Sequence, residues 1–482
     1  MAVMVSVTYL QAATAGDTAA RRGDLGWFRQ ELYESLTARA DALFELTDAV
    51  LCAEAPVATL VGLSLTAEHR RGHGALYDGL ASGEINYARV RRSLTNLPLP
   101  RDDQGRITLA VDVSPWLRPD APTCADRCFC HVYGRGKNNA QMIPGWPYSF
   151  VAALETGRTS WTMLLDAVRL GPYDDATTVT AAQVREVIGR LRTAGQWCEG
   201  DPEILVVFDA GYDTTRLSYL LADLPVELLG RVRSDRVFCP PPTQRAATGR
   251  PPRHGRPVKL ADPATWPEPD ARTVTDTARY GRAEARCWHR LHPRLKHRDA
   301  WADHEGPLPT ITGALIRLHV ERLPGDHAPT PVWLWSSRAI LTAPEVDRLW
   351  RAFLRRFDLE HTFRFLKQTL GWTRPRVRTP EQADRWTWLI ITAHAQLRLA
   401  RGLTTDLRRP WEKPVTEPHR LSPARVRRGF RNLRAKTTLP ASAPKPTRPG
   451  PGRPTGSKNK QRARRHDVGK HAASASSKVK TP

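Results

Sequence analysis

The stretch Ile204-Leu205-Val206-Val207-Phe208-Asp209-Ala210-Gly211-Tyr212 decides the fold. Five apolar residues in a row, closed by a carboxylate, read as a central strand of a sheet covered on both faces. Such a strand delivers Asp209 to the carboxyl end of the sheet. Upstream, Ile107, Leu109, Val111 and Val113 alternate with Thr108, Ala110 and Asp112, which predicts a second strand with one carboxylate on its more polar face. FCHVYGRGK and PYSFVAALE predict two further strands or a hairpin around Gly134 and Gly136. Helices are expected over 181–195 and near 217–221, and a strand over 226–232.

Around this α/β centre the pattern changes three times. On the N-terminal side, 25–52 carries Phe28, Leu32, Leu36, Leu43 and Leu46 at helical spacing, and a second helical stretch runs from about 66 to 92. Leu97-Pro98-Leu99-Pro100 closes that helical unit. Its basic pairs, Arg70/Arg71 and Arg91/Arg92, are candidates for DNA contact or ordinary helix-surface charge. Beyond Cys239, CPPPTQRAATGRPPRHGRPVKL opposes regular structure, and ARCWHRLH and ALIRLHVERL then alternate as strands do. PVWLWSS reads as a returning strand, followed by long helices over 343–370 and 381–402, separated at Pro375 and Pro380. The expected units are a helical N-terminal domain (1–100), a core in two parts (101–235 and 331–405), a β-containing insertion (236–330) and a basic, Pro-rich tail (406–482), largely disordered after about Lys436.

At 482 residues, with 40% hydrophobic and 25% charged residues, the composition is that of a soluble protein of roughly three domains. No run of about 18 apolar residues occurs. The start, Met1 to Ala13, lacks a basic leader, so neither a membrane span nor a secretory signal is expected. Seven irregularly spaced cysteines fit a reducing compartment and a cytoplasmic protein. The formal charge is +24, and residues 401–482, with 22 Lys/Arg against 4 Asp/Glu, hold +18 of it, leaving +6 for the rest. Charge gathered at one end favours a polyanion such as DNA, whose neutralised phosphates release counterions.

The densest constellation is WRAFLRRFDLEHTFRFLKQTLGW, residues 350–372. Relative to Phe353, Arg356, Glu360 and Lys367 fall at roughly 300°, 340° and 320° on a helical wheel. One carboxylate and two cations thus share a stripe, a pattern that on its own is also that of a solvated ion-paired face. With Asp112 and Asp209, Glu360 makes three carboxylates that strands and a helix would bring together. Like charges held close need cations, and Mg²⁺ suits an oxygen-rich site. Two such ions about 3.5–4 Å apart support phosphoryl transfer.

These residues resemble the DDE-type transposases of bacterial insertion sequences, which have a ribonuclease-H-like core. The subgroup with a β-strand insertion carries Y-x2-R-x3-E-x6-K, read here as Phe353-x2-Arg356-x3-Glu360-x6-Lys367, with Phe in place of Tyr. The second-aspartate motif D-x-G-[YF] appears as Asp209-Ala210-Gly211-Tyr212, and the first aspartate lies in LAVDVSPWLRP. The resemblance spans about 25–402. It implies an α/β ribonuclease-H-like mixed sheet interrupted by the insertion. It also implies that Asp112, Asp209 and Glu360 are catalytic and bind two Mg²⁺ or Mn²⁺ ions, and that Arg356 and Lys367 grip phosphates. The implied partners are double-stranded DNA, as element inverted repeats and target, and a second copy of the chain on that DNA. No membrane is involved, and the implied location is the bacterial nucleoid. The rival readings are a transposase-derived DNA-binding protein without catalysis, against which all three carboxylates stand, and a ribonuclease-H-like nuclease.

Asp213, after the glycine turn, is expected to cap the next helix rather than to ligate. Asp358, at roughly 140° on the wheel, is expected to be solvated opposite Glu360. Cys124, Cys128, Cys130 and His131 lack a second ligand pair and read as core or loop residues rather than a zinc site. Trp146, Trp333 and Trp335 are core residues or platforms for an unpaired base. In the tail, Gly452-Arg453-Pro454, followed by Lys458 and Lys460, resembles an AT-hook and makes Arg453, Lys458 and Lys460 candidate DNA contacts. Gly255-Arg256-Pro257 repeats the tripeptide in the insertion.

Overall fold

The structure is a computed structural model, and it describes residues 15–133, 140–157, 159–242, 252–323, 329–445 and 465–467. Its helices are α1 (Ala15–Ser35), α2 (Ala40–Cys52), α3 (Leu60–Ser64), α4 (Gly74–Ser82), α5 (Tyr87–Thr95), α6 (Ala176–Thr193), α7 (Thr214–Leu220), α8 (Ala343–Arg355), α9 (Phe357–Gln368), α10 (Pro380–Leu399) and α11 (Pro423–Arg434). A short pair, β1 (Leu36–Ala38) and β2 (Glu84–Ile85), stands apart from one large sheet. That sheet contains β3 (Thr108–Leu117), β4 (Arg127–Tyr133), β5 (Ala140–Leu154), β6 (Thr162–Arg169), β7 (Ile204–Phe208), β8 (Val226–Val232), β9 (Val237–Cys239), β10 (Val258–Lys259), β11 (Ala271–Thr277), β12 (Gly281–Pro293), β13 (Gly313–Val320), β14 (Val332–Ser336) and β15 (Arg465–Asp467).

The centre of the sheet has the order β6-β5-β3-β7-β8, with β5 antiparallel to both β3 and β6, and β7 parallel to both β3 and β8. This is the ribonuclease-H-like arrangement. β7 is buried along its whole length, as an unbroken apolar run requires, with Ile204 to Phe208 at 0–1% exposure. Beyond β8 the sheet continues without a gap through β14 and β13 to β12, β9 and β10, with β11 on the free side of β12. The strands between Cys239 and Val320 therefore extend the central sheet instead of forming a separate barrel.

Three elements depart from their sequence reading. The helix expected over 25–52 is broken, because Leu36–Ala38 pairs with Glu84–Ile85 and Arg39 adopts a left-handed φ of 54°. The helix expected over 343–370 is jointed at Arg356. There the bonds Arg356 N–H to Phe353 O (3.1 Å) and Leu359 N–H to Arg356 O (3.0 Å) span three residues, a tighter turn than the α-helix makes. Within the basic, Pro-rich tail, where no periodic pattern is read, α11 is an ordered helix that ends before the disorder expected after about Lys436. Its Val426, Phe430 and Leu433, spaced four and three apart, are buried.

One continuous core joins Leu25, Phe28, Leu43 and Leu46 of α1 and α2 to Leu109, Phe150, Trp372, Trp386 and Ile390. The helical N-terminal segment thus shares its core with the sheet through α10. At the end of α9, Gly371 has φ +73° and a Cβ there would meet Val57 Cγ1 and O at 2.7 Å. Gly371→Ala combines left-handed strain with a clash against backbone, and is expected to destabilise by about 2 kcal/mol or more, read as a lower thermal midpoint.

Candidate active site

Asp112 leaves β3 where the strand passes beside the end of β7, and Asp209 is the residue after β7 ends. Glu360 comes from the first turn of α9, which packs on β3, β5 and β6. All three converge on one guanidinium. Arg356 Nη1 is 3.2 Å from Asp112 Oδ2, and Nη2 is 3.4 Å from Asp209 Oδ2 and 3.6 Å from Glu360 Oε1. The Arg356 side chain is 3% exposed, with its Cζ 5.7 Å from the Phe353 ring centre and 5.0 Å from that of Phe357. Phe353, which replaces the expected tyrosine, is itself core.

Charge balance explains the electrostatics. Three carboxylates around one guanidinium leave an excess of negative charge, and burial of Asp112, reinforced by Asp209 and Glu360 against the opposing pull of Arg356, pushes its carboxyl up to about 6. The Val113 N–H donates to Asp112 Oδ1 at 2.8 Å and fixes that carboxylate. Among the described residues, Asp209 Oδ1 is buried without a hydrogen-bond partner. Tyr212, packed on Phe208, lies close enough to Asp112 that burial and that charge raise its phenol well above its ordinary value. Lys367, on the same helix as Glu360, is pushed down to about 8 by burial, its Nζ 5.5 Å from the Trp372 ring centre.

As arranged here, no group of three His, Cys, Asp or Glu side chains among the described residues stands in ion-holding geometry. The donor set nonetheless fits a hard divalent cation. It is all carboxylate oxygen, and one of its atoms, Asp209 Oδ1, is orphaned in the interior. The position between the carboxylates is taken by Arg356.

Asp213 caps α7 by accepting from Arg216 N–H at 3.0 Å. Asp358, expected to be solvated, is instead 7% exposed beside Arg355 (3.3 Å) and is pushed up to about 6 by burial. The side of α9 away from Glu360 faces a half-open cavity of about 950 Å³ walled by Trp161, Tyr280, Trp350 and Arg279. A wheel gives direction around a helix but not what covers it. Cys124, Cys128 and Cys130 are buried, and Trp146, Trp333 and Trp335 are core. Arg70 and Arg71 pair with Glu45 and Asp41, and Arg91 with buried Asp166, so three of the four helix-surface arginines are engaged internally. Gly255 lies against the backbone of Pro240 and Pro241, its N–H donating to Pro240 O at 2.8 Å. Arg453, Lys458 and Lys460 lie outside the described residues. Sequence reasoning left Tyr212 without a role; its place one turn past Asp209 in the quoted motif was the available signal.

The sequence profile described as DDE superfamily endonuclease matches residues 31–294, more than half of the chain. The chain belongs to the DDE superfamily endonucleases. Glu360 and Arg356 lie beyond the matched stretch. Among solved structures, the Drosophila P element transposase strand transfer complex is similar at 12% identity and a TM-score of 0.20, over 36% of this chain and 35% of that one. The match thus spans about a third of that transposase. No curated protein matches the chain. No helix among the described residues is long and apolar enough to cross a membrane.

Proposed function

We propose that this chain is the transposase of an insertion sequence, cutting DNA at the element's ends and joining the freed 3′-hydroxyls to target DNA. The observation that carries the reading is the convergence of Asp112, Asp209 and Glu360, from three separate elements, on Arg356. In this reading the three carboxylates hold two divalent ions, Mg²⁺ or Mn²⁺. Those ions, when bound, activate the attacking oxygen and stabilise the leaving one. Asp112 is kept in place by the Val113 N–H. Lys367, on the same helix as Glu360, presents its side-chain nitrogen to the phosphate of the cleaved strand. Arg453, Lys458, Lys460 and the rest of the basic C-terminal stretch add contacts to double-stranded DNA that do not depend on sequence. Two copies act together, because both element ends must be held at once.

The test is a strand-transfer assay with a supercoiled plasmid carrying the DNA that flanks the coding sequence, in Mg²⁺ or Mn²⁺. Cleavage at the ends followed by joining to a second plasmid is the expected result. Cleavage without joining assigns the chain to the ribonuclease-H-like nucleases, and specific binding without any metal-dependent product leaves a DNA-binding protein.

A further inference from the structure

Arg356 stands in the one place the proposed chemistry requires cations, and it is the residue expected to reach DNA. Those two assignments conflict in a single arrangement. With 3% of its side chain exposed and its charge shared by three carboxylates, the guanidinium cannot touch a phosphate while it remains there.

Resting on the reading of these carboxylates as a divalent-ion site, we infer that Arg356 is a resident counter-cation. It keeps Asp112, Asp209 and Glu360 gathered when no ion is present, and incoming ions displace it from the carboxylates toward bound DNA. Three like charges this close repel one another, and the buried Asp112 has the least access to water for relief. A guanidinium at 3.2–3.6 Å from each offsets that repulsion. Its hold is incomplete, since Nε is buried without a partner and Asp209 Oδ1 remains unpaired. Arg356 is therefore placed to be replaced by a group of higher charge that satisfies the remaining oxygens. Its backbone position suits the exchange. It forms the joint between α8 and α9, where the helical bond pattern tightens, and the rings of Phe353 and Phe357 flank it. Ion loading then precedes the exposure of a phosphate-binding arginine, which couples the charge state of the site to its grip on DNA.

Three proteins decide the matter by Mn²⁺ titration without DNA, followed by electron paramagnetic resonance or calorimetry: wild type, Arg356→Gln and Asp209→Asn. Removing the competing cation is expected to tighten Mn²⁺ binding at least about tenfold in Arg356→Gln, whereas Asp209→Asn weakens it. In the wild type, Ca²⁺ is expected to turn Arg356 from protected to reactive toward phenylglyoxal, read by peptide mass spectrometry. If Asp209→Asn loses Mn²⁺ but Arg356→Gln binds no more tightly than wild type, the counter-cation role is overturned while the metal reading stands. If wild type and Asp209→Asn bind alike, the metal reading falls and this inference with it. Should Arg356→Gln fail to fold, the wild-type labelling decides alone, and labelling unchanged by Ca²⁺ overturns the inference.

Discussion

Asp209→Asn is expected to lower metal-dependent DNA cleavage by at least about 10³-fold, some 4 kcal/mol of transition-state stabilisation, while leaving DNA affinity nearly intact. The asymmetry follows from where the residue sits. Asp209 is 35% exposed at the end of β7, and among the described residues its one ion pair is the 3.4 Å contact to Arg356 and its Oδ1 has no hydrogen-bond partner. The amide keeps the shape, so no folding interaction of weight is lost, and removing one of three crowded negative charges relieves repulsion. What disappears, on the proposed reading, is an anionic metal ligand. Glu360→Gln and Asp112→Asn are expected to behave alike, and because the three act as a unit, a double variant falls little below either single one. The measurement is initial cleavage rate on a labelled end substrate beside a thermal melt. Near-wild-type cleavage by Asp209→Asn would remove this carboxylate from the reaction.

How much of this was legible in the sequence differs by element. β7 was legible because an unbroken apolar run ending in a carboxylate has few other uses in a soluble fold, and Asp112 because strict alternation marks a strand. Glu360 was placed by its stripe with Arg356, and the stripe survives the joint at Arg356 because a single tightened turn shifts the phase only slightly. The partner of that stripe was not legible. Spacing puts Arg356 near Glu360, but only the tertiary fold puts it against Asp112, 244 positions away. Asp358 was misplaced for the same reason, since the cover over its side comes from Trp161 and the β11–β12 turn. α11 was masked by composition. Its arginines suggest a solvated tail, yet Arg427 donates to Val50 O at 3.0 Å and Arg431 pairs with Glu68, so the charges that argued for a tail bind the helix to the N-terminal segment.

Asp48→Ala is expected to cost about 3–5 kcal/mol of folding stability. Asp48, 0% exposed on α2, accepts from Arg29 Nη1 at 2.7 Å and Nη2 at 3.0 Å, and from Arg434 Nε at 3.1 Å. Arg29 also donates to Gln396 Oε1 at 2.7 Å and lies 4.9 Å over the Phe44 ring. One carboxylate thus ties α1, α2, α10 and α11 together. Its loss leaves a buried guanidinium on α1 with no opposing charge, and desolvating an unpaired charge is far more costly than losing a surface pair. The desolvation argument makes a second expectation that packing alone does not. Arg29→Met combined with Asp48→Leu removes the fully buried pair, leaves only the partly exposed Arg434 without its carboxylate, and keeps the volume filled, and is expected to be markedly more stable than Asp48→Ala. Denaturant unfolding of the full chain compares them, and amide exchange locates the loss, which should concentrate in α1, α2 and α11. If the apolar pair proves as unstable as Asp48→Ala, the joint is held by the hydrogen-bond geometry of Arg29, Asp48 and Gln396 rather than by the avoidance of an unpaired buried charge.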